Sequence, residues 1–312
     1  MVDRAVGVTT NRGRWFELTN TSVFNGSTTC IAGAMEPGGP AILACVGTGS
    51  GGQLMRSPDN GKTWTVTSAG NKARLVIGYD LKDPRYCYQW KERSSDGGKT
   101  WTSLSGMPDN SIICGISCSN GSVLYAIDNN GTGKKIWRSN DRGNTWGAGP
   151  VITASWNLTT PGPTKTFTFS VDPTNPDIVY TSSANGQLTR WDVSGSAARS
   201  TQITFPGGGG PNFYIKDFAI DPRDPNVMYA INQQANTGNK FYRSGDGGKN
   251  WQNISNYIPQ GSLKGVSVSP VTGEVYLSSE NGSLVMLPPY STSNTAYDAV
   301  PYTMNLLTEP YN

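Results

Sequence analysis

The sequence predicts an all-β protein: a single β-propeller built from four-stranded antiparallel blades. Three observations predict it: a nine-residue turn motif that occurs four times, a strand–turn–strand unit that occurs six times, and an abundance of turn formers. The 312 residues include 38 Gly and 20 Pro, and only 15% of them are charged, against about 25% in average globular proteins. Amphipathic helices need more charge on their outer faces, so the composition favours one large β domain.

The turn motif has the form Arg-Ser-x-Asp-x-Gly-x-Thr/Asn-Trp and recurs at blade spacing in residues 56–64, 93–101, 138–146 and 243–251. The last gap has room for two units, and Arg190-Trp191-Asp192 stands where a degenerate copy is due. In each copy we expect Asp to accept backbone N–H groups, Gly to take positive φ, and Trp to anchor the next strand. These structural residues are Asp59, Gly61, Trp64, Asp96, Gly98, Trp101, Asp141, Gly143, Trp146, Asp246, Gly248 and Trp251.

A second unit recurs between the turn motifs: an apolar strand, a turn rich in Asp and Pro, and a strand centred on an aromatic residue. Its copies span residues 31–46, 77–88, 116–125, 167–180, 218–229 and 266–276. Each such inner hairpin is followed by an outer hairpin, which gives four strands per blade. Six inner hairpins favour six blades, and seven stay open if residues 291–307 add further strands.

The predicted organisation is one propeller domain over residues 1–312. Residues 1–22 contain an outer hairpin with no inner hairpin before it, in which Gly13 and Trp15 take the places of the turn Gly and the anchor Trp. We expect this hairpin to close the last blade, because an uncovered strand edge invites pairing with other chains. Residues 23–290 hold the blades and residues 291–312 form a C-terminal segment.

The four turn motifs resemble the Asp-box, or BNR, repeat of sialidases, xyloglucanases, sortilin-type receptors and photosystem assembly factors, and the resemblance covers residues from about 25 to 285. It implies a propeller whose boxes lie on the face away from the substrate. A sialidase also has an Arg-Ile-Pro signature, which this sequence lacks. A xyloglucanase clamps its polysaccharide between two propellers, and this chain is long enough for one.

No catalytic residue, metal site or cofactor is predicted. The chain has no His, so no Ser–His or Cys–His pair exists, and its five Cys lack zinc-ligand spacing. We expect the Cys to be buried thiols, with Cys30 and Cys45 facing each other across a hairpin. The box Asp residues should lie on separate blades, whereas paired catalytic carboxylates need about 5–10 Å. Asp80, Asp128 and Asp217 are expected to be turn or strand-end residues.

The charge pattern bears on partners and location. The net charge is +3 and the basic residues are dispersed, so neither nucleic acid nor a membrane is expected as a partner. The first residues lack the apolar core of a signal peptide. The expected location is therefore a virion or the cytoplasm of the producing cell, and the oligomeric state is not fixed by the sequence.

Binding is expected on the loops opposite the turn motifs, which are rich in Gly, Asn and Gln with a few aromatics. The candidate contacts are Trp90, Lys91, Asn129, Lys134, Trp156, Gln233 and Gln234. The favoured function is a non-enzymatic interaction or structural module that binds other proteins of an assembly or a glycan, as in a phage tail or a capsid-associated virion component. The alternative is a glycoside hydrolase of the Asp-box group.

Overall fold

The structure, a computed structural model, describes residues 7–8, 17–18, 28–36, 39–46, 53–59, 61–69, 77–107, 111–117, 119–128, 135–151, 168–182, 188–206, 213–234, 238–258, 263–279 and 284–291. These residues form an all-β protein of six small antiparallel sheets, the blades of a six-bladed β-propeller. The predicted fold class and the count of six blades are thus confirmed. Contacts within the chain divide it into two compact units, each with three of the sheets.

The first unit holds sheets 1, 2 and 3, in which each strand pairs with the next along the chain. Their strands are numbered β3 to β14, after two short N-terminal strands β1 (Gly7–Val8) and β2 (Glu17–Leu18). Sheet 1 contains β3 (Thr28–Glu36), β4 (Gly39–Val46), β5 (Gln53–Ser57) and β6 (Thr65–Ala69). Sheet 2 contains β7 (Ile77–Tyr79), β8 (Cys87–Gln89), β9 (Glu92–Ser94) and β10 (Thr102–Ser103). Sheet 3 contains β11 (Ser111–Ile116), β12 (Leu124–Asp128), β13 (Lys135–Ser139) and β14 (Gly147–Val151).

The second unit holds sheets 4, 5 and 6. Sheet 4 contains β15 (Phe169–Val171), β16 (Ile178–Ser182), β17 (Leu188–Asp192) and β18 (Arg199–Ile203). Sheet 5 contains β19 (Phe213–Asp221), β20 (Asp224–Gln234), β21 (Gly238–Ser244) and β22 (Gln252–Asn253), followed by a single 3-10 turn at Ser255–Tyr257. Sheet 6 contains β23 (Leu263–Val268), β24 (Val275–Ser279) and β25 (Leu284–Leu287).

The six predicted inner hairpins are all present as the first two strands of the sheets. The degenerate copy at Arg190-Trp191-Asp192 ends β17 at the turn of the outer hairpin of sheet 4, which β17 forms with β18, where a turn motif was due. Strands β1 and β2 pair with each other, and their role in closing the last blade stays a prediction. The single-domain boundaries also stay a prediction.

Each sheet has two distinct ends, because its strands are joined as an antiparallel meander. The turn between the first two strands and the turn motif lie at one end, which we name the repeat-turn end. The connection between the second and third strands lies at the other end, together with the segment that leads in from the preceding sheet; we name this the loop end.

The cores lie between the faces of neighbouring sheets. In the first unit, Leu43 and Leu54 of sheet 1 pack with Tyr79 and Cys87 of sheet 2. In the second unit, Phe218 and Trp251 of sheet 5 pack with residues of sheet 4 such as Tyr180, whose ring centroid is 5.5 Å from that of Phe218. Sheets stacked in this way are apolar on both faces, which is why their central strands are almost continuously buried.

Two further expectations concern single residues and the membrane. Cys45 and Cys87 are buried, as predicted, and Cys45 pairs in register with Cys30 across β3 and β4. No helix in the described part of the chain has the length and apolar character that crossing a bilayer requires.

Candidate functional site

The four repeat turns, residues 56–64, 93–101, 138–146 and 243–251, share one hydrogen-bond pattern. In the second, Ser94 Oγ donates to Asp96 Oδ1 at 2.7 Å and accepts the Gly98 N–H at 2.8 Å. The Thr100 N–H and hydroxyl donate to the two Asp96 oxygens at 2.9 and 2.6 Å. In the fourth turn, Asn250 replaces Thr and its amide donates to Asp246 Oδ2 at 2.7 Å. In every copy the turn Gly has φ between 82° and 86°.

The anchor Trp side chains also close these turns. The indole N–H groups of Trp64, Trp146 and Trp251 donate to the turn Gly carbonyl of their own copy at 2.9 to 3.0 Å. In the second turn, Trp101 instead donates to Thr67 Oγ1 of the preceding sheet at 3.3 Å. A buried indole N–H needs an acceptor, and the repeat provides one within the turn or in the adjacent sheet.

These hydrogen bonds lower the pKa of the four turn carboxyls. For Asp59 the largest cause is the Thr63 hydroxyl, and for Asp246 it is the Asn250 N–H. For Asp96 and Asp141 the largest single effect is burial, which raises the pKa, but the combined hydrogen bonds from Thr, Ser and backbone groups outweigh it. All four Asp side chains are thus ionised acceptors held by their own turns.

The Arg that opens the turn motif joins neighbouring sheets in the first unit. Arg56 Nε donates to the Gly97 carbonyl of the next repeat turn at 2.6 Å. Arg93 Nη1 donates to the Arg142 carbonyl and to Asn144 Oδ1 at 2.8 and 3.0 Å. The repeat-turn ends of sheets 1, 2 and 3 are therefore committed to structure. Among the described residues, no group of three or more Cys, Asp or Glu is arranged to hold a metal ion.

The loop end of sheet 2 differs from this pattern at Trp90. Trp90 and Lys91 form a two-residue turn between β8 and β9, and Trp90 has φ of +46°. Such turns are usually built from Gly, Asn or Asp, because bulky side chains are strained at positive φ. The Trp90 side chain is half-buried, and no described residue accepts a hydrogen bond from its indole N–H.

The base of this turn is polar and buried. Gln89 and Glu92 pair across the two strands, and Gln89 Nε2 donates to Glu92 Oε2 at 2.9 Å. Both side chains are almost fully buried. The Lys91 carbonyl accepts the N–H of Leu104 at 2.9 Å, which ties the turn to the segment after β10. These hydrogen bonds hold the strained Trp90–Lys91 turn in place, as a preformed binding site requires.

The other predicted contacts are only partly covered by the structure. Gln233 and Gln234 end β20, where they pair with Tyr214 and Phe213 of β19. Met228 of β20 pairs with Ser244 of the repeat turn, and from there β20 runs to Gln234 at the loop end, a run of residues 228–234. The equivalent run in sheet 3 is 124–128, so the loop end of sheet 5 extends about 6–7 Å further. Asn129, Lys134 and Trp156 lie outside the described residues.

Sequence reasoning missed a cluster at the repeat-turn ends of sheets 2 and 3. Arg142 has φ of +61° and its guanidinium lies 3.8 Å from the Tyr86 ring. It also approaches Asp80, whose side chain is 1% exposed. Two other copies of the motif have Gly97 and Gly247 at the Arg142 position. That departure from the repeat was the signal that could have identified Arg142.

Asp80 and Asp217, both expected to be structural, accept backbone N–H groups. Asp80 Oδ1 accepts those of Lys82 and Asp83 at 2.9 and 3.2 Å, which confirms a turn residue. Asp217 accepts the N–H of Phe218 at 2.9 Å and that of Val266 in sheet 6 at 2.8 Å. Burial raises the pKa of Asp217 despite these bonds. Asp217 thus lies within β19, where it bridges two sheets.

No protein-family model and no curated protein matches the sequence. Solved structures match its fold. The GH74 xyloglucanase from Xanthomonas campestris is 16% identical with a TM-score of 0.61, over 82% of this chain and 44% of its own. An ancestral GH74 enzyme is 14% identical with a TM-score of 0.63, over 86% and 37%. YCF48 from Cyanidioschyzon merolae is 15% identical with a TM-score of 0.60, over 88% and 86%.

These similarities differ in how much of each protein they cover. The chain spans less than half the length of the two GH74 chains and most of the length of YCF48. Sequence identity of this order shows a shared fold alone, and one propeller fold supports many unrelated functions. The comparisons therefore place the chain among β-propellers.

Proposed function

We propose that this protein is a non-enzymatic interaction module that binds a protein partner through the loop ends of its sheets, with Trp90 as the principal contact. The observation that carries the proposal is the left-handed backbone of Trp90 at a two-residue turn. A non-Gly residue in this region costs about 1–3 kcal/mol, and such strain tends to occur at functional sites. Trp is also the residue type most enriched among interface hot spots.

The predicted contacts Lys91, Gln233 and Gln234 extend this proposal, and Asn129, Lys134 and Trp156 belong to it from the sequence alone. A virion component remains the setting that we propose, because the chain combines low charge with many Gly, Ser, Thr and Asn residues. We also propose that the repeat turns are Asp boxes. This proposal rests on the shared Ser–Asp–Gly–Thr hydrogen bonds.

The alternative, glycoside hydrolysis, needs two carboxylates that reach a substrate from either side of a glycosidic bond. Asp80 and Asp83 both lie within 4.0 Å of Arg142 Nη1. However, Asp80 is buried, accepts two backbone N–H groups, and faces the repeat-turn end. The described carboxylates thus give this alternative no specific support.

The Trp90→Gly variant tests the proposal, because it separates stability from binding. Glycine relieves the strain at positive φ, so we expect the free energy of unfolding to rise by about 1 kcal/mol. Capture of the partner from the producing cells, measured by quantitative pull-down, should fall at least tenfold. Val66→Ala removes an exposed apolar side chain elsewhere (48% exposed) and should leave capture unchanged.

Three results would overturn the proposal. Undiminished capture by Trp90→Gly would mean that Trp90 is not the principal contact. Turnover of fluorogenic glycosides, abolished by substitution of a single carboxylate, would mean that the protein is an enzyme. Binding to immobilised glycans that is lost in Trp90→Gly would assign the same site to a carbohydrate partner instead.

A further inference from the structure

Sheet 4 has a long outer strand at the place where the turn motif has degenerated. Its outer strand β18 pairs with β17 at five consecutive positions without a bulge, from Asp192–Arg199 to Leu188–Ile203. In sheets 2 and 5, which keep the motif, the outer strand has two residues and two pairs. The repeat turn uses residues that would otherwise extend the outer hairpin, so its loss in sheet 4 leaves a longer outer strand.

The hydrogen bonds of sheet 4 show which backbone groups of β18 point away from the sheet. The Val193 N–H donates to the Asp177 carbonyl at 2.8 Å, and the register of β16 and β17 places these two residues opposite each other. In an antiparallel pair, successive residues direct their N–H and C=O groups to alternate sides. The even-numbered residues of β17 therefore bond to β18, where their partners are the odd-numbered residues. The N–H and C=O groups of Ser200 and Gln202 consequently point away from the sheet.

This outer edge of β18 is open. Arg199 to Gln202 are all exposed, and no group in the described part of the chain bonds to the outward N–H and C=O of Ser200 or Gln202. Proteins usually protect such an edge with Lys, Pro, a bulge or a very short strand, and β18 has none of these. Arg199, its one charged residue, lies opposite Asp192. By contrast, β14 contains Pro150, and β6 pairs with β5 across a bulge.

The backbone groups of this edge are complementary to those of a second copy. When two β18 strands pair antiparallel about a twofold axis that passes between their Thr201 residues, Ser200 of each copy lies opposite Gln202 of the other. Every outward N–H of one copy then meets an outward C=O of the other. A register shifted by two residues in either direction would place Gln202 opposite Ala198, or Ser200 opposite Thr204, beyond the ends of the strand.

The side-chain pairs of this register are also compatible. Thr201 of one copy lies opposite Thr201 of the other, in a pair without mutual hydrogen bonds whose Cα atoms are about 4.5 Å apart. Thr–Thr pairs in such positions stabilise antiparallel sheets. Arg199 lies opposite Ile203, so the two Arg199 side chains do not face each other. No like charges are therefore opposed along the edge.

We propose that β18 is a self-association edge, through which two copies of this chain join their four-stranded sheets 4 into one continuous antiparallel sheet. The association uses sheet 4 rather than the Trp90 turn of sheet 2, so it goes beyond the proposed function. The exposed Ser200, Thr201 and Gln202 side chains are polar and offer few contacts that would select an unrelated strand. One strand pair buries much less than the about 1,200–2,000 Å² of stable interfaces, so we expect a reversible dimer at high protein concentration.

Sedimentation velocity of the full chain over a range of concentrations measures this association. We expect a monomer–dimer equilibrium for the wild type. Gln202→Pro should weaken dimerisation by about tenfold or more, because Pro removes an outward N–H from each copy and its ring obstructs pairing, while the bonds between β17 and β18 are kept. Gln202→Ala is the matched control: it removes the same side chain and keeps the N–H, so the dimerisation constant should stay within about threefold.

Cysteine cross-linking tests the register and does not depend on the Pro variant. Under mild oxidation, Thr201→Cys should give a disulfide-linked dimer on non-reducing gels, because the two Thr201 residues face each other. Ser200→Cys, which lies opposite Gln202, should cross-link much less. The wild-type protein gives the background from its own cysteines, and thermal unfolding confirms that each variant is folded.

Several outcomes would overturn the inference. They are a wild-type protein that stays monomeric at every concentration, a folded Gln202→Pro protein that dimerises as the wild type does, and Ser200→Cys cross-linking as efficiently as Thr201→Cys. Loss of partner capture by Gln202→Pro, with no dimer in the wild type, would assign the edge to a strand of another protein and reject the second copy. None of these results bears on capture that depends on Trp90.

Discussion

Arg142 Nη1 lies 3.1 Å from Asp80 Oδ2, so the repeat turn of sheet 3 is joined to the inner hairpin of sheet 2 by an ion pair. The guanidinium also covers the Tyr86 ring at 3.8 Å. Arg142 holds this position with φ of +61°, in a turn where other copies have Gly. The strained backbone at Arg142 is therefore maintained by contacts with the neighbouring sheet.

Replacement of Arg142 by Gly sets these effects against each other. The strain is relieved, which favours the variant by about 1 kcal/mol. The buried Asp80 carboxylate loses its ionic partner, and breaking a buried pair costs about 3–5 kcal/mol, less here because Arg142 is a quarter exposed. We expect a net loss of about 1–3 kcal/mol in urea unfolding.

Arg85→Ala provides the comparison for that measurement. The Arg85 side chain pairs with Asp83 at 2.8 Å but is 68% exposed, so its removal should change the free energy of unfolding much less than Arg142→Gly does. A more stable Arg142→Gly protein would mean that backbone strain outweighs the ion pair, and that Arg142 does not join the sheets.

The repeat made most of the fold predictable, because each turn motif encodes its own hydrogen bonds. Asp96, Gly98 and Thr100 bond to residues within four positions in the chain, and short-range patterns of this kind can be read from sequence. The contacts that join sheets were not predictable in the same way. Arg93 reaches Arg142, 49 residues away, and only the fold brings them together.

The candidate site illustrates the same limit. Trp90 was identified from its type and its place between two strands, but its positive φ depends on a turn of only two residues. The bulges in β19 and β23 arise from slips in strand pairing, which no local sequence pattern specifies. Residue type indicated which positions could contact a partner. The backbone conformation determines which of these side chains are suited to that contact.

Gly121 is the second position at which we predict an effect on the Asp80 contact. A Cβ at this position would overlap the Asp80 carboxylate, which is held by Lys82 N–H, Asp83 N–H and Arg142. We expect Gly121→Ala to lower the free energy of unfolding by about 1–3 kcal/mol, as overpacking usually does. Gly33→Ala, whose Cβ would be 3.6 Å from the nearest atom, should be close to neutral, and equal losses in both would contradict the clash.

Acid should destabilise the protein through the four repeat-turn Asp residues. Their folded-state pKa values lie below the ordinary value of 3.8. Their contribution is therefore fully present above pH 3.8 and is lost as the pH falls through the folded pKa. Asp217 has the opposite sign, because its raised pKa favours the folded state at low pH and that contribution is lost as the pH rises.

The pKa values of Asp83 and Asp192 are also lowered, so the described carboxyls with a lowered pKa outnumber Asp217 and predict a net loss of stability on acidification, measured by chemical denaturation from about pH 7 to pH 3. Asp246→Asn should be less stable than the wild type at neutral pH and should lose less on acidification, because the amide does not titrate. An acid response identical to that of the wild type would show that the Asp246 turn does not contribute to it.

Asp96→Ala tests the structural role assigned to the repeat turns. The substitution removes the acceptor of four donors: the Ser94 hydroxyl, the Lys99 N–H, and the N–H and hydroxyl of Thr100. We expect it to cost about 1–3 kcal/mol in urea unfolding, as for other polar groups left without partners. Lys99→Ala is the control, because it shortens an exposed side chain in the same turn and leaves the Lys99 N–H in place. It should change stability by less than about 0.5 kcal/mol.

Partner capture by the same variant then separates the two ends of the sheet. If the repeat-turn ends are structural and the loop ends bind, Asp96→Ala lowers stability and keeps capture, whereas Trp90→Gly raises stability and loses it. The two substitutions lie in one small sheet, so a general weakening of sheet 2 moves both readouts together and cannot produce this opposite pattern. Loss of capture by a folded Asp96→Ala protein of unchanged stability would instead assign recognition to the repeat-turn end.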